Sequence, residues 1–315
     1  RGLLHDHQDG LQAAGRRYIE GLAGGKGKNT HSVQSVGDVD RTKAGGSLTC
    51  IVRAGRTVFP LNHRSSVAHG IRLGVRVNFV AVEPKSQTGD GIGEQVVKQA
   101  LNVGAKVHSL CRNKPSWMND FPSLNHQNFD VSKPELFEGI NIPDSIDGIV
   151  YCPGSINLKP FGRLTREDFI NDWNLSFMGA VQSLQFMYPG LRKSGKASVV
   201  LFSTVAVQTG MSYHASVSAA KGALEGLTRS LAAEWASQNI RVNALALSLT
   251  DTPLAERLLS SDEKREAAAS RHPLKRIGSA EETAKSVLYL LSKDSSWMTG
   301  QILKLDGGIS SVKPL

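Results

Sequence analysis

Cysteine is scarce in this chain of 315 residues. The three present, Cys50, Cys111 and Cys152, are far apart and odd in number. That spacing excludes a disulfide framework and any cysteine-based metal site, and it fits a reducing compartment. Aromatic residues make up only 6% of the chain. No basic stripe alternates with them, so no nucleic-acid module is legible. Long apolar runs are missing as well: none reaches the ~18 residues that a membrane-spanning helix needs. What remains is ordinary for a soluble globular protein, with 40% hydrophobic and 21% charged residues. The length suits one large domain or two small ones and buries a substantial core.

The formal net charge of +9 is unevenly placed. Residues 1–80 hold 12 Lys/Arg against 5 Asp/Glu, and residues 81–315 hold 25 against 23. The basic character therefore belongs to the leading segment, where it reads as a solvated basic tail. Residues 1–70 contain the small, polar, glycine-rich stretch Gly21–Ser47 and no sustained apolar period. Such a segment buries too little apolar surface to offset its ordering entropy, so it is expected to be a disordered extension. An Arg-rich leader with few acids fits a plastid or mitochondrial transit peptide, and a mis-assigned gene start fits equally. The expected location is a soluble, reducing compartment: cytoplasm, or an organelle if the leader is a transit peptide.

From residue 71 onward strands alternate with helices. Apolar, β-branched runs at Val75–Val82, Lys106–Leu110, Asp147–Cys152, Ala197–Phe202 and Ile240–Leu247 read as strands, with Asn128–Val131 ending a further one. Helical spacing covers Gly91–Ala105 and the long segments 166–192 and 214–237. This alternation implies βαβ units: an α/β fold with a doubly wound parallel sheet of Rossmann type, one domain over 71–315. In such a sheet the ligand lies outside the carboxyl ends of the strands.

The turn Thr88-Gly89-Asp90-Gly91-Ile92-Gly93 falls between a strand and a helix. Glycines there let a pyrophosphate approach the backbone N–H groups, and the helix N-terminus adds partial positive charge. After the second strand stands Arg112, where an acidic residue would take a ribose 2′-hydroxyl and Arg accommodates a 2′-phosphate. Further on come Ile149-Val150-Tyr151-Cys152-Pro153-Gly154, Asn174-Leu175-Ser176-Phe177-Met178-Gly179, and Val199-Val200-Leu201-Phe202-Ser203-Thr204. Tyr213 to Lys221, Ile240-Arg241-Val242-Asn243-Ala244, Gly300-Gln301-Ile302 and Asp306-Gly307-Gly308 complete the series.

In this order, over about three-quarters of the chain, these motifs resemble the short-chain dehydrogenase/reductases, most closely the 3-oxoacyl-carrier-protein reductase-like branch. The resemblance implies a cofactor site at Gly91, Ile92, Gly93, Arg112, Asp130, Gly154, Lys221 and Thr252, with NADP favoured over NAD by Arg112. It implies that Asn174 holds a water in a proton relay, that Thr204 stands where a serine polarises the substrate carbonyl, and that Lys221 is the family's lysine. The departures cluster at the same site. The first positions of the glycine turn hold Ser86 and Gln87, behind Pro84. Tyr151 and Cys152 replace an Asn pair, and Leu247-Ser248 replaces Pro-Gly. The family's catalytic tyrosine, four residues before the lysine, is Val217.

Hydride transfer to a carbonyl leaves an alkoxide that needs a proton, and loss of a general acid costs ~10²–10⁴-fold in rate. His214 lies two helical turns before Lys221 on the same face and Tyr213 one turn before Val217, so either is a candidate substitute. Ser218 is expected to be helix surface. The expected function is an NADP-dependent oxidoreductase acting on a small carbonyl or alcohol with an atypical proton donor. The alternative is a non-catalytic family member serving as a binding or scaffold protein. A homodimer or homotetramer built on the two long helices is expected, with no metal, nucleic-acid or membrane partner. The charged segment Leu254–Arg276 would be a lid.

Overall fold

The computed structural model describes residues 78–82, 91–133 and 137–313, all within a unit running from Ser65 to Leu315. The extension 1–70 and the glycine turn up to Asp90 lie outside the described residues. The strands are β1 (Asn78–Val82), β2 (Lys106–Cys111), β3 (Asn125–Asn128), β4 (Gly148–Tyr151), β5 (Ser198–Thr204), β6 (Arg241–Leu247), β7 (Thr250–Asp251), β8 (Gly278–Ser279) and β9 (Ile302–Leu305). Seven of them form one parallel sheet in the order β3-β2-β1-β4-β5-β6-β9, and β7 pairs with β8 apart from it. The chain runs outward from β1 to β3, then returns to β4 on the other side of β1. This is the doubly wound sheet, and its strand order reverses between β1 and β4, which fixes the crevice for a ligand.

Helices cover both faces: α1 (Ile92–Asn102), α2 (Arg166–Trp173), α3 (Gly179–Ser194), α4 (Ala206–Thr209), α5 (Ala215–Trp235), α6 (Asp262–Ser270) and α7 (Ala280–Leu291). Alternate residues of the central strands enter opposite cores. Ile149, Val199, Leu201 and Val242 pack with Leu184 and Leu224 on one face. Val150, Val200, Phe202 and Leu245 pack with Val96, Val97 and Val287 on the other. A strand buried on both faces reads as a continuous apolar run, which is why β4, β5 and β6 were legible. Helix starts are fixed chemically. Thr165 and Asp168 form a reciprocal capping box at α2, and Ser279 and Glu282 do so at α7.

One expectation shifts. The third strand was placed to end at Asn128–Val131, but it spans Asn125–Asn128. Its last ladder bond, Phe129 N–H to Cys111 O at 2.9 Å, is followed by an Asp130 turn whose carboxylate accepts from the Ser132 amide at 3.1 Å. That turn ends the strand. The segment 166–192 is also not one regular helix: a π-helical turn, Asn174–Met178, separates α2 from α3.

Candidate active site

Lys221 lies in the middle of α5 and is only 6% exposed. Its Nζ donates to Pro153 O at 3.4 Å, just past the carboxyl end of β4. A Cβ on Gly154 would stand 3.2 Å from that nitrogen, so the glycine is what lets the ammonium lie against the backbone. Burying a charge is costly unless it is paired. Burial pushes the Lys221 pKa down to about 8, and the neighbouring Cys152 and Asp172 oppose that fall. Asp172 is itself 3% exposed and is held by the Ser155 hydroxyl and by Asn157 Nδ2 at 3.4 Å. Asp172 and Ser155 were missed in the sequence reading. The available signal was an acid on the inward side of α2, between Ile170 and Trp173.

Tyr151, at the end of β4, points away into the core. Its hydroxyl donates to Leu175 O at 2.5 Å. A π turn frees backbone carbonyls from their usual helical partners, and Leu175 is in that turn. Burial, with Cys152 nearby, pushes the phenol above its ordinary pKa. A Cβ at Gly179 would collide with the Tyr151 hydroxyl and stand 2.7 Å from Val131 Cγ2. Tyr151, the π turn and Gly179 therefore form one packing unit. Asn174, expected to hold a relay water, is exposed at the start of that turn. Ser176, two residues on, is fully buried, and its hydroxyl has no hydrogen-bond partner among the described residues. Ser216 and Ser218 at the start of α5 are likewise without partners there. Ser218 is half-buried.

Thr204 closes β5, and its Oγ1 accepts from the Ala206 amide at 3.3 Å, which leaves its O–H proton to donate elsewhere. The preceding Ser203 faces the other way and donates to the buried Glu225 at 2.7 Å. Val217 is 6% exposed, so nothing polar stands at the position one turn before Lys221. His214 is half-buried at the N-cap of α5. Its Nδ1 lies 2.8 Å from Ser212 O. A carbonyl only accepts, so Nδ1 carries the proton there and Nε2 is the nitrogen left to exchange one. Tyr213 is 58% exposed with a left-handed backbone, φ 70°.

Toward the outer strands, Arg112 is half-buried after β2 and near Asp130. Partial burial opposes ionisation of Asp130. The Ser132 hydroxyl and amide, with Arg112 and Lys133, outweigh it and hold the carboxyl below its usual range. Gly91 caps α1 without a side-chain bond, followed by half-buried Ile92 and buried Gly93. Thr252 follows β7, its hydroxyl 3.4 Å from Thr250 O. The expected lid carries α6, capped by Ser261. The turn after α6 is tied to the segment following β6 through His272, whose Nδ1 donates to Ala268 O and whose Nε2 accepts from Ser248, each at 2.8 Å. No metal-binding group of His, Cys, Asp or Glu exists among the described residues, and no helix there is long and apolar enough to cross a membrane.

The sequence profile of the family described as Enoyl-(Acyl carrier protein) reductase matches residues 87–310. A tropinone reductase homologue of Arabidopsis thaliana is 32% identical over 233 residues, which are 70% of this chain and 89% of that protein. A tropinone reductase homologue of Datura stramonium is 30% identical over 234 residues, 69% and 87% of the two chains. Among solved structures, the aldohexose dehydrogenase of Thermoplasma acidophilum superposes with a TM-score of 0.66 at 26% identity, over 76% of this chain and 96% of that one. A short-chain dehydrogenase family protein of Francisella tularensis shares the fold with a TM-score of 0.67 at 23% identity, over 75% and 100%. On the profile match and on relatives that it spans nearly end to end, this chain belongs to the short-chain dehydrogenase/reductases, a family of oxidoreductases.

Proposed function

We propose that the protein is an NADP(H)-dependent reductase of small carbonyl compounds, or a dehydrogenase of the corresponding alcohols, with His214 in place of a tyrosine as proton donor. The observation that carries this reading is Lys221, a buried ammonium pressed against Gly154 at the carboxyl end of β4. Folding gains nothing from such a charge, whereas a ribose hydroxyl beside it would. The residues fit a dinucleotide. Gly154 keeps the surface beside the ammonium low, Gly91-Ile92-Gly93 open α1 with no side chain capping the helix start, and Arg112 offers a fork for a 2′-phosphate. When bound, the cofactor supplies or accepts the hydride.

The chain's own residues do the rest. Thr204 donates a hydrogen bond to the substrate oxygen. His214 caps the N-terminus of α5 and Lys221 lies about 10 Å further along its axis, with the buried Val217 between them in sequence. His214 delivers the proton from Nε2, and Lys221 holds the ribose. Relatives named for tropinone reductases support a small ketone as substrate.

The burial of Val217 where the family uses a phenol favours a second reading, a non-catalytic cofactor-binding protein. Following NADPH consumption over a panel of small ketones separates the two. Turnover that falls at least ~10²-fold in His214→Ala, with NADPH binding kept, supports the proposal. Turnover unchanged in His214→Ala removes the histidine. No turnover on any ketone, with NADPH bound, favours the second reading.

A further inference from the structure

Side chains on neighbouring parallel strands share a face when their residues pair, and the face repeats every second residue. Ser109 pairs with His126, and Cys111 with Asn128. The four side chains are therefore neighbours on one side of β2 and β3. Their bonds form a chain. Cys111 Sγ lies 3.6 Å from His126 Nδ1, and His126 Nε2 lies 3.0 Å from Asn128 Oδ1. The Asn128 oxygen only accepts, so Nε2 carries the imidazole proton and Nδ1 turns its lone pair to the thiol. Ser109 Oγ donates to the same sulfur at 3.8 Å. Nucleophilic cysteines are built this way: a base beside the thiol, and a third group that fixes the base's tautomer. A third neighbour, Asn113 O at 3.1 Å, is closer than the imidazole and accepts the thiol proton at rest, so reaction requires that proton to turn to His126 Nδ1.

We propose that Cys111, His126 and Asn128 form a thiol-activating centre, and that Cys111 is a site of oxidation by hydrogen peroxide. The burial of Cys111, 3% exposed, selects a small oxidant over a bulky disulfide. His126, half-exposed, stands in the wall of an open surface cavity with Lys114, Pro122 and Ser123. In the reaction the thiol proton passes to His126 Nδ1, and the sulfur attacks one peroxide oxygen. The S–O bond forms as the O–O bond breaks, and the leaving hydroxide takes the proton from His126 as water. Sulfur is oxidised by two electrons to the sulfenic acid, and peroxide is reduced. The modified sulfur then lies next to Arg112 in the chain. Any effect on NADP rests on the cofactor reading above, but the oxidation itself needs no cofactor.

The test treats the full-length protein, without nucleotide, with hydrogen peroxide and follows each cysteine peptide by mass spectrometry, with dimedone as the sulfenate trap. Cys111 is expected to oxidise ahead of Cys152. His126→Ala should slow it roughly 10²-fold, the scale of a lost general base, and added imidazole should restore part of the rate. Asn128→Ala alters an exposed side chain, so it tests the array even if His126→Ala unfolds. It should slow oxidation several-fold. Cys111 reacting no faster than Cys152, or a rate unchanged in both variants, overturns the proposal. A bulky aromatic disulfide that labels Cys111 as readily as peroxide does overturns the size selection.

Discussion

Lys221 and Gly154 occupy one piece of space: the ammonium of the first lies where a side chain of the second would be, 3.2 Å from the missing Cβ. The arrangement costs stability. Burial lowers the lysine from 10.5 to about 8, and each pKa unit is worth about 1.4 kcal/mol. The sign follows from proton counting. Between about pH 8 and 10.5 the unfolded chain binds the proton that the folded chain has lost, so stability rises with pH across that window. Below it the whole cost is present. Lys221→Met should therefore raise stability at pH 7 by something on the order of 3 kcal/mol while abolishing turnover. Urea melts at pH 7 and pH 10 check this. The gain should shrink at the higher pH, and a destabilised variant at pH 7 would mean that Asp172 and Pro153 fully compensate the charge.

The bond from Tyr151 to Leu175 O makes a second, independent prediction. Tyr151→Phe leaves a part-buried carbonyl of the π turn without its donor, which costs roughly 1–3 kcal/mol. The urea midpoint should fall accordingly. Gly179→Ala should cost more, because the new methyl overlaps the hydroxyl itself, and the pair should be less than additive. Additive losses would show that the two positions do not share one packing unit.

The sheet and its cores were legible because β4, β5 and β6 are apolar on both faces and helices of ordinary length separate them. β3 was displaced by three residues because Asn-His-Gln-Asn has no apolar alternation. An edge strand of polar residues is specified by backbone pairing to β2, which composition does not reveal. Asn174 shows a different limit. Asn174 was read from the likeness of Asn174–Gly179 to an Asn-Leu-x-Gly motif, and a motif does not show the extra residue of the π turn that begins there, which rotates every later side chain by about 100°. The residue buried in that turn is Ser176, and Asn174 faces solvent. The partnership of Tyr151 with Gly179, and of Asp172 with Lys221, joins separate elements and has no periodic signature at all. Lys221 and Val217 are sequence facts in α5, and the structure adds that both side chains are buried.

Val217→Tyr restores a phenol one helical turn before the lysine. Lys221 and Thr204 remain in place to serve it. The prediction is a gain in ketone reduction that no longer depends on His214. Val217 is 6% exposed, so the larger ring costs ~1–3 kcal/mol, and the assay belongs beside a melting curve. A folded, NADPH-binding variant with no gain on any ketone would show that the surrounding site does not place substrate over this face of α5.

Apolar side chains remain uncovered around α2: Phe161 is 75% and Trp173 41% exposed. Trp173 packs tilted against Phe177, with ring centroids 4.5 Å apart. A surface of this kind suits a self-complementary interface. Sedimentation at micromolar concentration should show a dimer or tetramer, and Trp173→Glu should shift it to monomer. A monomeric wild-type protein would contradict the expectation.

The most direct test of the whole account is cofactor binding. NADPH or NADH is titrated into the purified protein, and nucleotide fluorescence excited through tryptophan is recorded. NADPH is expected to bind saturably and at least tenfold more tightly than NADH, about 1.4 kcal/mol, with the order reversed in Arg112→Asp. Failure to bind either nucleotide would contradict this.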